Sequence, residues 1–126
     1  SVGAGVTNLL SMQGTTDIPD FMVSYFGAEY WDNIDVWRLN SPMERAGDIA
    51  TPTLIQHGEK DVRVPLSQAT ELYIALERRG VPVELAIYPR QPHGIIEPKL
   101  QLDAMQRNLD WFERWILDPA DEETAR

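Results

Sequence analysis

Three stretches of the chain carry apolar residues in patterns typical of β-strands. Residues 52–56 are predicted as a strand, in which Leu54 and Ile55 form a short apolar run before a His-Gly turn. Residues 81–88 place Val83, Leu85 and Ile87 at every second position, which is typical of a half-exposed strand at the margin of a sheet. Residues 1–6 are small and β-branched, as if the chain began within a strand. The pattern therefore predicts two complete strands and part of a third.

Four segments show helical spacing or a helix start. Phe21, Met22, Tyr25 and Phe26 share one helical face before Gly27 ends the pattern. Ser41, Pro42 and Glu44 form a capping box, which predicts a short helix. The other two predicted helices cover residues 67–79 and 100–117, and each carries an apolar stripe: Ala69, Leu72, Tyr73 and Leu76 in the first, and Met105, Leu109, Phe112 and Ile116 in the second.

The order strand, irregular helices, strand, helix, strand, helix predicts an α/β fold. Its strands should be parallel, joined by right-handed crossovers and flanked by helices. Two or three strands make a thin sheet, and a parallel sheet must be covered on both faces. We therefore expect residues 1–117 to be part of a larger α/β domain, or a piece that needs a partner. Residues 118–126 should form an acidic, flexible tail.

Composition limits the possible partners and chemistry. The 126 residues contain no cysteine, which excludes a disulfide framework, a thiolate metal site and a cysteine nucleophile. Twenty acidic residues against eleven basic residues give a net charge of −9, which disfavours nucleic acid and anionic membranes as partners. No apolar run approaches the ~20 residues of a membrane helix, and no signal peptide opens the sequence. We expect a soluble, cytoplasmic protein.

The candidate chemistry lies in the loops that follow the two complete strands. Asp61 follows the first and His93 the second, 32 residues later. Catalytic groups of parallel α/β proteins collect beyond the carboxyl ends of strands, and neighbouring strands lie about 4.8 Å apart. Asp61 can then orient His93 and stabilise its imidazolium, which is the acid and base part of a nucleophilic triad. The order acid then base matches the hydrolase order Ser, Asp, His.

A nucleophilic serine is not evident in the chain. The nucleophile elbow reads Gly-x-Ser-x-Gly between a strand and a helix, and no such string occurs in the sequence. In the hydrolase order the elbow precedes the strand predicted at residues 1–6. We therefore expect it in a segment upstream of Ser1.

These motifs resemble a known family. The string HGEKDVRVP at residues 57–65, the Ser41-Pro42 helix start, Tyr88-Pro89, and Gln91-Pro92-His93-Gly94 occur in that order and spacing. Together they resemble the C-terminal half of the α/β-hydrolase catalytic domain of the prolyl oligopeptidase family of serine peptidases. Within that family, the motifs most resemble those of the acylaminoacyl-peptidase and dipeptidyl-peptidase-like branch.

The resemblance implies a role for four residues. Asp61 matches the triad acid and His93 the triad base. Arg63 matches a side chain that, in several members, hydrogen-bonds a substrate backbone carbonyl, and Val64 matches a residue that lines the pocket for the side chain before the scissile bond. No metal or other cofactor is implied, and the partners would be a peptide substrate and the missing N-terminal part of the domain, or a second copy of the chain.

Each of these residues also has an alternative interpretation. Asp61 could stabilise the start of the following helix, and His93 could be a surface histidine. Arg63 could pair with a surface acid, and His57 is interpreted as structural. A metal site built from His57, Asp61 and His93 is a weak alternative, because the spacing is not that of helical ligands.

Three functions follow. The chain could be a fragment of a serine peptidase that acts by acyl transfer and supplies the triad Asp and His but not the Ser. It could belong to a related esterase, because fold alone does not separate the two activities. It could also be an inactive, truncated domain that acts as an interaction module through an exposed sheet edge.

Overall fold

The computed structural model describes residues 1–117, and the tail predicted at residues 118–126 lies outside the described residues. The described part is an α/β arrangement with three parallel strands in the order β1-β2-β3. The strands are β1 (Val2–Gly3), β2 (Thr53–Gly58) and β3 (Val83–Tyr88). The predicted fold class, with parallel strands and flanking helices, is confirmed.

The central strand β2 is longer than predicted. Its ladder with β3 runs from Thr53 opposite Val83 to Gly58 opposite Tyr88. His57 and Gly58 were expected in a loop, but they belong to the strand and pair with β3. Because of this extension, β2 and β3 end at paired residues, Gly58 and Tyr88, and the two loops that follow begin side by side.

The helices differ from the predictions mainly at their ends. The predicted capping box is wrong, because the Ser41 hydroxyl accepts from the Leu9 amide (3.0 Å) and donates to the Trp37 carbonyl (2.9 Å) instead of capping its own helix. The α-helices are α1 (Leu9–Gln13), α2 (Pro19–Phe26), α3 (Ile34–Leu39), α4 (Leu66–Arg78) and α5 (Pro98–Phe112). A 3-10 helix covers Pro42–Asp48, and a π-helical turn, Glu113–Leu117, follows α5.

Helix α4 covers one face of the sheet. Ile55 of β2 packs with the buried residues Ala69, Leu72 and Leu76, which belong to the stripe predicted for this helix. The first segment of the chain is tied to the same helix through the fully buried Gln68. The Gln68 side-chain oxygen accepts from the backbone amides of Thr7 (3.0 Å) and Asn8 (2.7 Å). The position of β1 therefore depends on a hydrogen-bonded side chain of α4.

Helix α5 lies on the opposite face. Gln56, whose side chain points away from Ile55 along the strand, donates to the carbonyl of Ala104 (3.0 Å). Asn108 contacts the side chain of Gln56, and Arg107 forms an ion pair with Glu84 of β3. The apolar stripe predicted for this helix is exposed within the described chain: Met105 69%, Leu109 52%, Phe112 41% and Ile116 65%. Leu102, which was not part of the prediction, is also exposed (66%) and extends the stripe. The buried residues of α5 are Ala104 and Trp111, which share a helical face with Arg107 and Asn108. This face, and not the predicted stripe, is turned toward the strands.

No helix between residues 1 and 117 is both long enough and apolar enough to cross a membrane. The cytoplasmic location stays a prediction.

Gly58 allows the loops after β2 and β3 to meet. A Cβ at this position would lie 2.2 Å from the carbonyl oxygen of Pro92 and 2.5 Å from that of Gln91. Both atoms belong to backbone, which cannot rotate away as a side chain can. The loop that carries His93 therefore lies directly against the end of β2.

We predict that Gly58→Ala lowers the free energy of unfolding of the full-length protein by about 1–3 kcal/mol, because it overpacks this contact. Urea denaturation measures the change. Gly47→Ala is the matched control, because a Cβ at Gly47 has no atom within 4 Å. Equal stability of the Gly58 and Gly47 variants would contradict the prediction.

Candidate active site

Asp61 and His93 meet at the carboxyl edge of the sheet. Asp61 follows β2 and His93 follows β3, and these strands are hydrogen-bonded neighbours. The distance between Asp61 Oδ2 and His93 Nδ1 is 2.9 Å. The structure thus brings together the two residues predicted as acid and base.

The carboxylate of Asp61 is held on both oxygens. Its side chain is completely buried, and Oδ1 accepts from the backbone amides of Arg63 (2.9 Å) and Val64 (2.9 Å). The loop after β2 curls around the carboxylate so that two consecutive amides point at it. A carboxylate with this many partners has one orientation, and Oδ2 remains available for His93.

His93 is oriented on one side and open on the other. Its side chain is 52% exposed. An ionised carboxylate can only accept, so Nδ1 carries a proton, and in the neutral imidazole Nε2 then carries the free lone pair. Nε2 forms no hydrogen bond with any residue in the 1–117 range. This tautomer can take a proton at Nε2.

The loop that carries His93 is organised by Gln91, whose role was not predicted from the sequence. Gln91 is 1% exposed, and its side-chain oxygen accepts from the amides of Ile96 (2.9 Å) and Glu97 (3.1 Å). Its amide group donates to the Glu97 carboxylate (2.6 Å). The carbonyl of Gln91 accepts from the amide of Lys60 (2.9 Å), which joins this loop to the loop of Asp61. Hydrogen bonds from Arg90 and Gln91 lower the pKa of Glu97, and burial opposes this effect.

His57 lies inside the protein, below the pair. Its side chain is completely buried, and its Nε2 lies 2.7 Å from the carbonyl oxygen of Val64 and 3.5 Å from Asp61 Oδ2. A carbonyl can only accept, so Nε2 carries a proton and donates to it. Among the described residues Nδ1 has no hydrogen-bond partner. This position favours the structural interpretation of His57.

Arg63 is paired with an acid from a distant part of the chain. Its Nε donates to Asp17 Oδ1 (2.7 Å) and its Nη2 to Asp17 Oδ2 (3.2 Å). The hydrogen bond from Arg63 lowers the pKa of Asp17, against a smaller opposing effect of desolvation. The sequence allowed for an acidic partner of Arg63 but did not identify Asp17, which is 46 residues away.

Val64 is part of the hydrophobic core. It is 5% exposed and belongs to a cluster with four other buried residues, Leu9, Met12, Met22 and Trp37. Its backbone donates to Asp61 and accepts from His57. The role predicted for Val64 in substrate binding stays a prediction, as does that of Arg63.

An open cavity of about 320 Å³ adjoins the histidine. It lies beyond the carboxyl ends of β1 and β2 and is lined by Gly3, Ala4, Gln56, His57, Gly58, His93 and Ile95. Within residues 1–117 no group of three or more His, Cys, Asp or Glu side chains is arranged to hold a metal ion. The site combines an oriented imidazole with an adjacent space and is suited to proton transfer.

Comparison with known proteins gives the family. The sequence matches the prolyl oligopeptidase family over residues 2–118. The acylamino-acid-releasing enzyme of Sus scrofa is 35% identical over 114 residues, which cover 85% of this chain and 16% of that enzyme. Dipeptidyl-peptidase 5 of Porphyromonas gingivalis is 34% identical over 117 residues, which cover 90% of this chain and 17% of that protein.

A solved structure shows the same fold. The orthorhombic crystal form of the Pyrococcus horikoshii acylaminoacyl peptidase matches with a TM-score of 0.82 and 26% identity, over 89% of this chain and 19% of that chain. The chain spans about a sixth of the length of the curated relatives that it matches. With a family match that extends over nearly all of its length, the chain belongs to the prolyl oligopeptidase family of serine peptidases, as part of an α/β-hydrolase catalytic domain.

Proposed function

We propose that this chain is the part of a serine peptidase that supplies the triad acid, Asp61, and the triad base, His93. The observation that carries the proposal is the 2.9 Å hydrogen bond between a buried carboxylate and a half-exposed imidazole. The nucleophilic serine comes from a segment outside these 126 residues, because the sequence has no Gly-x-Ser-x-Gly string. The chain by itself is then inactive.

The proposed reaction is acyl transfer. The serine hydroxyl attacks the substrate carbonyl while His93 Nε2 takes its proton, and Asp61 stabilises the imidazolium. His93 then gives the proton to the leaving amine, so the peptide bond breaks and an acyl-enzyme remains. Water attacks the acyl-enzyme while His93 Nε2 takes its proton, and His93 then gives this proton to the serine oxygen as the carboxylic acid product leaves. Asp61 remains ionised throughout and keeps the imidazole in one tautomer.

Substrate contacts are proposed for the two residues that follow the acid. Arg63 presents a half-exposed guanidinium next to Asp61, where it can donate to a substrate backbone carbonyl. Val64 is a buried member of the cluster around Trp37, and its side chain would form the wall of the pocket for the substrate side chain. Both roles follow from family motifs matched at these positions.

The proposed partner of the chain is the remainder of the catalytic domain. Along α5, Arg107 contacts β3 and Asn108 contacts β2. Successive residues of a helix are rotated by about 100° around its axis, so the step from Arg107 to Asn108 turns from the β3 side toward the β2 side. A further rotation of roughly 40–120° in the same sense reaches the exposed side chains of the stripe: Leu102, Met105, Leu109, Phe112 and Ile116. The stripe therefore faces the flank of β1, whose outer edge has no neighbouring strand within residues 1–117. Further strands added beside β1 would cover both the apolar stripe of α5 and the outer edge of β1.

Labelling of the serine tests the proposed triad. We predict that a fluorophosphonate probe labels the full-length protein and that His93→Ala abolishes the labelling, because His93 is the group proposed to take the serine proton. Gel fluorescence measures the labelled fraction. Substitution of the exposed acid Asp20 by Asn is the control and should leave labelling unchanged. Undiminished labelling of the His93 variant would refute the proposed triad.

Substrate comparison tests the peptidase assignment against the esterase alternative. We predict that the full-length protein hydrolyses aminoacyl p-nitroanilides as well as short-chain p-nitrophenyl esters, because an oriented His93 can protonate an amine leaving group. Release of the chromophore measures both rates. Cleavage of the esters alone would assign the protein to the esterases.

The state of the isolated chain tests the proposed partner. We predict that the isolated 126 residues self-associate at micromolar concentration, because the α5 stripe exposes contiguous apolar surface. Size-exclusion chromatography with light scattering measures the mass. Leu109→Glu with Phe112→Glu should restore a monomer, whereas Ile74→Glu on α4 is the control for an exposed apolar residue elsewhere. A monomeric wild-type chain would argue against an unpartnered interface.

A further inference from the structure

His57 is a buried imidazole that the proposed triad does not use. It belongs to β2, and its side chain is completely buried. Its Nε2 lies 2.7 Å from the carbonyl oxygen of Val64 and 3.5 Å from Asp61 Oδ2. Its Nδ1 has no hydrogen-bond partner in the described part of the chain. The polar contacts that the structure describes for this ring are therefore all made by Nε2.

These contacts tie the loop of Asp61 back to the end of β2. The amide of Val64 donates to Asp61 Oδ1 (2.9 Å), and the carbonyl of Val64 accepts from His57. The amide of Asp61 donates to the carbonyl of Gly58, the next residue of the strand (3.2 Å). His57 thus holds the residue that in turn holds Oδ1. Because β2 is fixed by its ladder with β3, the carboxylate is fixed relative to a rigid element.

The same N–H group also lies near the oxygen that binds the base. Asp61 Oδ2 is 2.9 Å from His93 Nδ1 and 3.5 Å from His57 Nε2. The longer distance is beyond that of a strong hydrogen bond, but the positive end of the N–H dipole still attracts the carboxylate, and burial reduces the screening by water. Oδ2 therefore lies between two imidazole donors. A rotation that moved Oδ2 out of this position would give up both contacts.

Packing alone does not account for an imidazole at this position. A buried nitrogen without a partner costs free energy, because it has lost its hydrogen bond to water. A leucine would fill a similar space without this cost. Among the described contacts, what distinguishes histidine from leucine is the N–H group of Nε2, and this group contacts the loop and the carboxylate of Asp61.

We propose that His57 is a positioning residue that holds Asp61 Oδ2 toward His93 by donating from Nε2. The inference rests on the proposed function of Asp61 and His93. His57 takes up no proton in this role and acts only through the loop and the carboxylate of Asp61. The proposed triad then has a fourth, buried member, whose N–H group keeps the acid in place while His93 gains and loses a proton.

Two other roles of His57 make different predictions. If the ring only fills space, leucine should serve as well as histidine. If His57 acts as an imidazolium that neutralises Asp61, glutamine should fail, because its amide does not take up a proton. A positioning role through Nε2 requires only an N–H group at the same place.

The experiment compares three variants of the full-length protein by the rate constant of fluorophosphonate labelling, which reports activation of the serine without a contribution from product release. His57→Leu should lower this rate constant roughly tenfold, as expected for the loss of one hydrogen bond. His57→Gln should restore most of it, because the glutamine amide nitrogen is separated from Cβ by as many bonds as Nε2. His57→Asn should not restore it, because the asparagine amide nitrogen corresponds to Nδ1.

Steady-state kinetics and a distant variant separate positioning from folding. His57→Leu should lower kcat for a short-chain p-nitrophenyl ester by a similar factor and leave KM nearly unchanged, because the step that is impaired follows substrate binding. Leu76→Ala is the control for lost stability. It truncates a fully buried side chain in the cluster between α4 and β2, so it should lower the melting temperature without changing the labelling rate constant.

Labelling of the leucine variant at the wild-type rate, failure of the glutamine variant, or equal restoration by asparagine would overturn the inference. Should the leucine variant not fold, the difference between the glutamine and asparagine variants decides. The wild-type protein separates the inference from the proposed function. Absence of wild-type labelling refutes the proposed function, whereas equal labelling of the wild-type protein and the leucine variant refutes only the positioning role of His57.

Discussion

The site depends on one buried carboxylate that makes three hydrogen bonds. Asp61 accepts from two consecutive amides of its own loop through one oxygen and contacts His93 through the other, while His57 lies 3.5 Å away. Charged oxygen atoms in a buried position require such partners, because burial without them costs several kcal/mol. The same requirement that shapes the loop after β2 therefore also fixes the imidazole. Loop conformation and orientation of the base are not independent features.

The contact between Asp61 and His93 in turn depends on how closely two backbones approach. Gly58 ends β2 opposite Tyr88, and the carbonyls of Gln91 and Pro92 lie where its side chain would be. Gln91 then satisfies the amides at the far end of its loop from a buried position. Glycine provides the space and glutamine provides the hydrogen bonds. Both residues support the site without belonging to it chemically.

The features that could be predicted are those set by local pattern and by sheet geometry. Alternation predicted β3, helical spacing predicted α4, and the parallel arrangement placed Asp61 beside His93. The pairing of Arg63 with Asp17 could not be predicted, because it depends on where the irregular segment before α2 folds back. Ser41 shows the same limit, since a distant amide of Leu9 takes the place of its local capping partner. Periodicity also showed that α5 has an apolar stripe, but not that these strands would leave the stripe uncovered.

Burial is distributed unevenly around the sheet, and this asymmetry bears on how the site would be completed. The α4 face is closed by a packed cluster, whereas the flank of β1 combines an open strand edge, the α5 stripe and the cavity beside His93. The cavity is lined by Gly3, Ala4 and His93, so it lies where β1 ends and next to the base. A strand paired with β1 would deliver its own carboxyl end to this cavity, because neighbouring strands of a parallel sheet end at the same edge. A nucleophile carried there would reach the open side of His93, opposite Asp61, and the same strand and its neighbours would cover the stripe. The same part of the domain would then cover the apolar stripe of α5 and complete the proposed triad.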